Sequence, residues 1–76
     1  MKTAKFKVGD VIVSIPAEYL EQQTCVSSVF ENVPADKVDR DALIEANKTI
    51  GVTWYLLKGN EVLHISVPTE LIKWEE

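Results

Sequence analysis

Cys25 and His64 are the only cysteine and the only histidine in the chain, and together they could supply a nucleophile and its base. A cysteine becomes reactive when a neighbouring base or cation favours its thiolate. The two residues belong to different predicted strands, and nothing in their spacing brings them together. We therefore predict no catalytic dyad, and we interpret Cys25 as a half-buried, weakly hydrophobic side chain.

Metal and phosphate sites are equally poorly supported. One cysteine and one histidine are too few for a closed zinc site. Asp36, Asp39 and Asp41 could suggest calcium, but the acids of an EF-hand loop alternate and are followed by a glycine, and these do not. The 3 glycines are scattered, so no glycine-rich phosphate loop is possible. We expect no enzyme, no metal, no cofactor and no small-molecule substrate.

The composition predicts one cytoplasmic domain, 1–76, with a net charge of −4 from 8 basic and 12 acidic residues. A single cysteine allows no intramolecular disulfide, which points to a reducing compartment. The lysines are scattered along the chain, and nucleic-acid binders draw their affinity from clustered basic residues. We therefore expect no nucleic-acid partner unless folding creates a basic face. No apolar run is long enough for a membrane span.

The stretch VTWYLLKGNEVLHISV, 52–67, predicts a β-hairpin whose register can be derived. Gly59-Asn60 suits a two-residue turn, which places Lys58 opposite Glu61. The inner face then holds the pairs Leu56–Leu63, Trp54–Ile65 and Val52–Val67. The outer face holds the pairs Leu57–Val62, Tyr55–His64 and Thr53–Ser66. A slip by one residue would turn polar side chains toward the core, so the alternation fixes the register.

Four neighbours on the outer face of this hairpin, Tyr55, Leu57, Val62 and His64, form a contiguous and fairly apolar group. Two interpretations remain open. A predicted helix covers the group, since its apolar stripe must be buried somewhere, or the group is exposed and contacts a protein partner or a second copy. Tyrosine and histidine suit such a contact because each offers an apolar body and a polar tip.

The segment KFKVGDVIVSI predicts one N-terminal strand with a bend. Its apolar residues fall on even positions before Gly9-Asp10 and on odd positions after it, which is the effect of a bulge. Pro16 ends the strand because proline donates no backbone hydrogen bond. Residues 16–23 form either a loop or a single helical turn that begins with proline.

A second strand is predicted over 24–33, TCVSSVFENV, because the segment is rich in β-branched residues. Two sets of alternate residues could face the core. One set is Cys25, Ser27 and Val29, and the other is Val26, Ser28 and Phe30. We favour the second set because it buries Phe30.

The one helical segment is predicted at roughly 36–50, inside an insertion that spans 34–50. Asp36 or Asp39 can cap its start, and Gly51 is placed to terminate it. Its apolar stripe consists of Leu43, Ala46 and Ile50. After the hairpin, a proline-led turn at 68–70 and a short edge strand at 71–74 close the chain.

The order KVGDVIV, TCVSSV, GVTWYLL, EVLHISVP and TELIKW resembles small SH3-like barrels, in particular the YodC-like bacterial proteins. The shared features are a VGD opening, a strand with a tryptophan, a short hairpin and a proline-led turn before the last strand. They cover roughly 6–15, 24–31 and 51–74, and the helical insertion replaces a tight turn of that family. The resemblance implies a mostly β domain, a small SH3-like barrel of about five short strands with one inserted helix. It carries over no defined activity, although SH3-like barrels often act as binding modules.

Together these observations predict a non-catalytic binding or adaptor module that acts through protein–protein contacts made by the outer hairpin face. The acidic charge allows a first alternative, a phage- or mobile-element-type inhibitor that occupies a basic surface of a nucleic-acid enzyme. A second alternative is a nucleic-acid-associated accessory protein, because many small barrels bind DNA or RNA.

Overall fold

The computed structural model describes residues 2–76, which form seven strands and one α-helix. The strands are β1 (Thr3–Val8), β2 (Val11–Pro16), β3 (Leu20–Gln23), β4 (Ser27–Pro34), β5 (Thr53–Leu57), β6 (Val62–Pro68) and β7 (Lys73–Glu75). The helix α1 spans Arg40–Thr49. Two antiparallel sheets result, with strand orders β2-β1-β7 and β3-β4-β6-β5. The mostly β fold with one helix is confirmed, but residues 2–76 form seven strands where about five were predicted, and their two sheets are open with no closed barrel.

The N-terminal segment forms a hairpin, so the prediction of one bent strand is wrong. Val8 pairs with Val11, and Gly9 and Asp10 are the two residues of the turn. Gly9 has a φ of +60° and Asp10 does not have a positive φ, which is the pattern of a type II′ turn. Pairing across such a turn joins even positions of β1 to odd positions of β2. The parity switch therefore reflects a chain reversal, and Pro16 is the last residue of β2 as predicted.

Residues 16–23 contain more structure than the sequence predicted. A single 3-10 turn, Ala17–Tyr19, follows Pro16, which agrees with the helical-turn interpretation. The chain then continues as β3, a short edge strand that pairs with β4. This strand was not predicted.

Strand β4 begins later than predicted, because Cys25 and Val26 lie in the turn before it and are exposed. Ser28 and Phe30 are fully buried, so the favoured set of core-facing residues is right for these two and wrong for Val26. The buried Ser28 hydroxyl lies 2.8 Å from Thr69 Oγ1, which itself donates to the carbonyl of Thr24 at 2.8 Å. Ser28 is therefore the donor of the pair, and its buried hydroxyl is satisfied.

The helix starts later than predicted because residues 35–37 form a 3-10 turn of their own. Asp39 is its N-cap, and Oδ1 of Asp39 accepts the backbone N–H of Asp41 at 2.9 Å and of Ala42 at 3.4 Å. Gly51 follows the C-cap with a φ of +77°, so the predicted terminator is confirmed. The predicted stripe also holds, with two members fully buried and the third half-buried: Leu43, Ala46 and Ile50.

The β5–β6 hairpin has the predicted register, including the pairs Trp54–Ile65 and Tyr55–His64. Its turn is longer than predicted and comprises 58–61, with the Glu61 N–H donating to the Leu57 carbonyl at 3.2 Å. Val52 lies outside the ladder, where its N–H donates to the Ala46 carbonyl at 3.3 Å.

The end of the chain has the predicted turn and edge strand, but the strand begins two residues later than predicted, at Lys73, because Leu71 belongs to the turn. A 3-10 turn, Thr69–Leu71, follows Pro68, and β7 then pairs with β1 at one edge of the three-stranded sheet.

The core lies between the two sheets and the helix. Phe6 and Ile15 bury their side chains from the three-stranded sheet, and Phe30 and Ile65 bury theirs from the four-stranded sheet. Helix α1 contacts β1 of one sheet and β5 of the other. One shared core therefore joins all three layers.

Candidate functional site

The outer face of the four-stranded sheet carries the predicted contact residues, and we call this group of Tyr55, Leu57, Val62 and His64 the Tyr55 face. The structure brings all four together as two adjacent cross-strand pairs, Tyr55 with His64 and Leu57 with Val62. Such pairs share one side of a sheet, with Cβ atoms about 5 Å apart. The hairpin register therefore builds this surface without help from any other element.

Tyr55 and His64 stack on each other. Their ring centroids lie 4.6 Å apart, and the ring planes differ by 12°. Tyr55 is 53% exposed, and the His64 side chain is 20% exposed. The tyrosine ring thus covers the imidazole on one side and presents its own opposite face to solvent.

Glu31 joins the site from β4, on the other side of β6. The register of β4 against β6 shifts between Phe30 and Val33, and Asn32 within this bulge has a φ of +59°. The bulge leaves Glu31 beside His64, with Oε1 lying 3.3 Å from Nδ1 of the imidazole. The contact becomes an ion pair when the imidazole is protonated. The sequence did not reveal Glu31, because its position depends on this bulge.

Helix α1 does not cover the Tyr55 face. Its buried residues Leu43 and Ala46 belong to the core, on the opposite side of the sheet. The indole Nε1–H of Trp54, which points inward from β5, donates to the Leu43 carbonyl at 3.1 Å. Since Leu57 remains 42% exposed beside Tyr55, the interpretation in which the helix covers this face is wrong.

Cys25 and His64 lie well apart. Cys25 is exposed in the turn before β4, where Ser27 pairs with Pro68 at the far end of β6. His64 is four residues further along β6, which corresponds to about 13 Å at the rise of a strand. Cys25 is thus an exposed turn residue and not the half-buried side chain that the sequence suggested.

The described residues offer little that could hold a metal ion or a small molecule. Within 2–76, no three His, Cys, Asp or Glu side chains lie close enough together to bind a metal ion. The hollows found in this part of the chain have volumes of about 300 Å³, which is the lower end of the range for ligand pockets. None of these three is lined by a residue of the Tyr55 face.

No helix formed by residues 2–76 has the length and apolar character needed to cross a lipid bilayer. Comparison with known proteins finds no similarity: no family model, no curated protein and no solved structure matches the chain. The resemblance to YodC-like proteins therefore rests on short sequence motifs alone, and the chain is a small β-rich domain with one helix.

Proposed function

We propose that this protein is a non-catalytic binding module that recognises another protein through the Tyr55 face. The observation that carries the proposal is the adjacency of two exposed apolar side chains, Tyr55 at 53% and Leu57 at 42%, on an uncovered sheet face. Exposed apolar patches with a polar surround are typical of protein–protein contacts. Tyrosine is also among the residues that dominate the energy of such contacts.

The polar residues of this face favour specific recognition over general adhesion. His64 is held by the Tyr55 ring on one side and by Glu31 on the other. Side chains that are fixed before binding lose little entropy when a partner arrives. The stacked rings therefore form a pre-organised platform, and Leu57 adds an apolar contact next to it.

We also propose that the domain is a distorted relative of the SH3-like barrels. Two features support this assignment. A proline-led 3-10 turn precedes the last strand, and that strand pairs with the first strand. The helical insertion and the N-terminal hairpin are the departures from the simpler barrel, and SH3-like folds by themselves fix no function.

The experiment that tests the binding proposal is affinity capture from a native lysate with the variant Tyr55→Ser/Leu57→Ser. Because both side chains are about half exposed, we expect the variant to fold, as checked by circular dichroism. Partners that use this face should bind the variant at least about tenfold more weakly, since a tyrosine at the centre of an interface contributes 2 kcal/mol or more.

A matched control removes apolar surface elsewhere. Val26→Ser/Ile44→Ser alters two exposed apolar residues, one in the turn before β4 and one on the outer side of α1. This control should capture the same proteins as the wild type. Equal capture by wild type and by a folded Tyr55→Ser/Leu57→Ser variant, or loss of capture by the control alone, would refute the proposal.

A further inference from the structure

Strand β2 is an edge of the three-stranded sheet and lacks the usual protection of an edge. Natural proteins blunt exposed edges with charges, prolines or bulges, or cover them with a helix or loop. Residues 11–15 contain no charge, proline or bulge, and Val11 and Ile12 are 44% and 61% exposed. Among residues 2–76, the nearby segment 37–39 lies across a groove from this edge and forms no backbone hydrogen bond with it. An unprotected apolar edge of this kind is a template for pairing with another strand.

The backbone groups that face outward from this edge can be identified. The Ala17 N–H donates to the Lys2 carbonyl at 2.9 Å and so continues the ladder of β2 with β1. In an antiparallel pair, every second residue forms backbone hydrogen bonds with the partner strand. Because Ala17 bonds the β1 side, the odd-numbered residues of β2 also form their hydrogen bonds with β1. The N–H and carbonyl groups of Ile12 and Ser14 therefore point away from β1. In the part of the chain that is described, no backbone group of another element bonds them.

A groove runs along this edge. It has a volume of about 310 Å³ and lies between residues 11–14 and residues 37–39. Four consecutive residues of β2 line it, so the strand presents its backbone edge to the groove and not one of its faces. Ser14 is the last β2 residue that lines the groove, and Pro16, the next outward-pointing residue, has no N–H to offer. An extended segment of a few residues can therefore pair at Ile12 and Ser14.

The sheet beside this groove is basic on its outer side. Lys7 lies opposite Ile12, and Lys5 lies opposite both Ser14 and Lys73. We call Lys5, Lys7 and Lys73 the lysine face. Among residues 2–76, Lys5 is the member with an ion-pair partner, Glu75 at 3.0 Å. Folding thus gathers basic residues on one face of a chain whose net charge is −4, a feature that was not evident from their scattered positions in the sequence.

The opposite wall of the groove carries a lysine that forms no ion pair within residues 2–76. Lys37 lines it, together with Val38 and Asp39. The Asp39 carboxylate is engaged by the first backbone N–H groups of α1. Lys37 and the three residues of the lysine face outnumber the nearby acids Asp39 and Glu75, so the charges near the groove favour an acidic ligand. Val11, which is 44% exposed, offers apolar contact on the inner side.

We propose that the β2 edge binds an extended, acidic segment of a partner protein by strand addition. Its backbone would pair with Ile12 and Ser14. Alternate side chains of an added strand lie on opposite faces of the sheet. Acidic side chains would lie on the outer side, within reach of the lysine face, and apolar ones on the inner side, beside Val11.

Two other occupants fit the observations less well. A second copy that paired β2 with β2 would offer no acidic side chain to the lysine face, because β2 contains none. Proteins that bind single-stranded nucleic acid commonly stack its bases on exposed aromatic rings. Phe6 and Trp74 of this sheet instead belong to or pack against the core, and the exposed centre of the face is the apolar Ile12.

The experiment uses a capped peptide of alternating valine and glutamate, seven residues long, and a control peptide with lysine in place of glutamate. Binding is followed by NMR on the isotope-labelled protein. We expect the acidic peptide to shift the amide signals of Ile12 and Ser14 and to slow their hydrogen exchange. Increasing salt should weaken the binding, and the lysine peptide should bind at least tenfold more weakly.

Two protein variants test the site. Ser14→Pro removes an outward N–H without removing a bond to β1, and Ser14→Thr retains the N–H. We expect Ser14→Pro to lower the affinity at least tenfold and Ser14→Thr to leave it unchanged. If Ser14→Pro does not fold, Ile12→Glu serves instead, because it repels the acidic peptide, with Ile12→Lys as its control.

Several results would overturn the proposal. They are the absence of any shift at millimolar peptide, equal binding of both peptides, and acidic-peptide binding that survives Ser14→Pro. Tighter binding of an oligothymidine probe, or a dimer in sedimentation that Ser14→Pro dissolves, would assign the edge to nucleic acid or to a second copy. The test is independent of the Tyr55 face, because that face lies on the other sheet.

Discussion

Lys58 has a left-handed backbone conformation that favours glycine, and lysine tolerates it less well than asparagine does. It has a φ of +52° and begins a run of three residues with positive φ in the turn of the β5–β6 hairpin. A non-glycine residue in this region costs about 1–2 kcal/mol, and replacing it with glycine relieves that cost but loses about 0.5–1 kcal/mol through the flexibility that glycine adds to the unfolded chain. We expect Lys58→Gly to raise the free energy of unfolding by about 0.5–1 kcal/mol, as measured by urea denaturation.

Glu61, in the same turn, provides the comparison for that variant. Its φ is not positive, so Glu61→Gly gains no conformational relief and only adds flexibility to the unfolded chain. We expect it to lower the free energy of unfolding. A Lys58→Gly variant that is less stable than the wild type would contradict this view of the turn.

The candidate site shows which side-chain contacts can be predicted from a sequence pattern and which cannot. The pairing of Tyr55 with His64 was predictable because the alternation of apolar residues allows one register of the hairpin. The contact of Glu31 with His64 was not predictable, since it depends on the bulge at Asn32. Bulges of this kind are set by tertiary packing and leave little local signal.

Among the elements, α1 offers a direct test of how its start is fixed. Both Asp36 and Asp39 precede it, but only Asp39 accepts backbone hydrogen bonds from its first turn. Replacing an aspartate N-cap with alanine costs about 1 kcal/mol. We expect Asp39→Ala to lower the midpoint of urea unfolding accordingly.

The matched variant is Asp36→Ala, because the 3-10 turn that contains Asp36 has no side-chain cap. It should change the free energy of unfolding by less than about 0.5 kcal/mol. Equal losses for both aspartates would mean that their charge near the helix start matters more than the hydrogen bonds of Asp39.

The remaining elements differ in how far local sequence determines them. The N-terminal parity switch is produced equally well by a bulge or by a two-residue turn, and only the pairing of Val8 with Val11 distinguishes them. Strand β3 was missed because its sequence, LEQQ, is short and polar, and it forms by pairing with β4. The helix stripe and Gly51 were found because capping and periodicity are local features.

At the scale of the whole molecule, hydrogen-bonded ladders hold each sheet together, and side-chain packing holds the two sheets to each other. Phe30 from the four-stranded sheet lies 6.5 Å, between ring centroids, from Trp74 of the three-stranded sheet. The helix contacts both sheets and fills the space at one side of the core. Neither sheet buries its inner face without the other, so we infer that they fold as one unit.

The two tryptophans make this inference measurable, because Trp54 lies in the four-stranded sheet and Trp74 lies in the three-stranded sheet. The variants Trp54→Phe and Trp74→Phe each leave one fluorescent reporter. Trp54→Phe also removes the donor to the Leu43 carbonyl, so its stability should fall by about 1 kcal/mol or more. The two midpoints are therefore compared within each variant. The fluorescence midpoint in urea should equal the circular-dichroism midpoint of the same variant.

A fluorescence midpoint that falls below the circular-dichroism midpoint in one variant would show that the sheet carrying the remaining tryptophan unfolds first. In that case the packing between Phe30 and Trp74 would be too weak to join the sheets into a single cooperative unit.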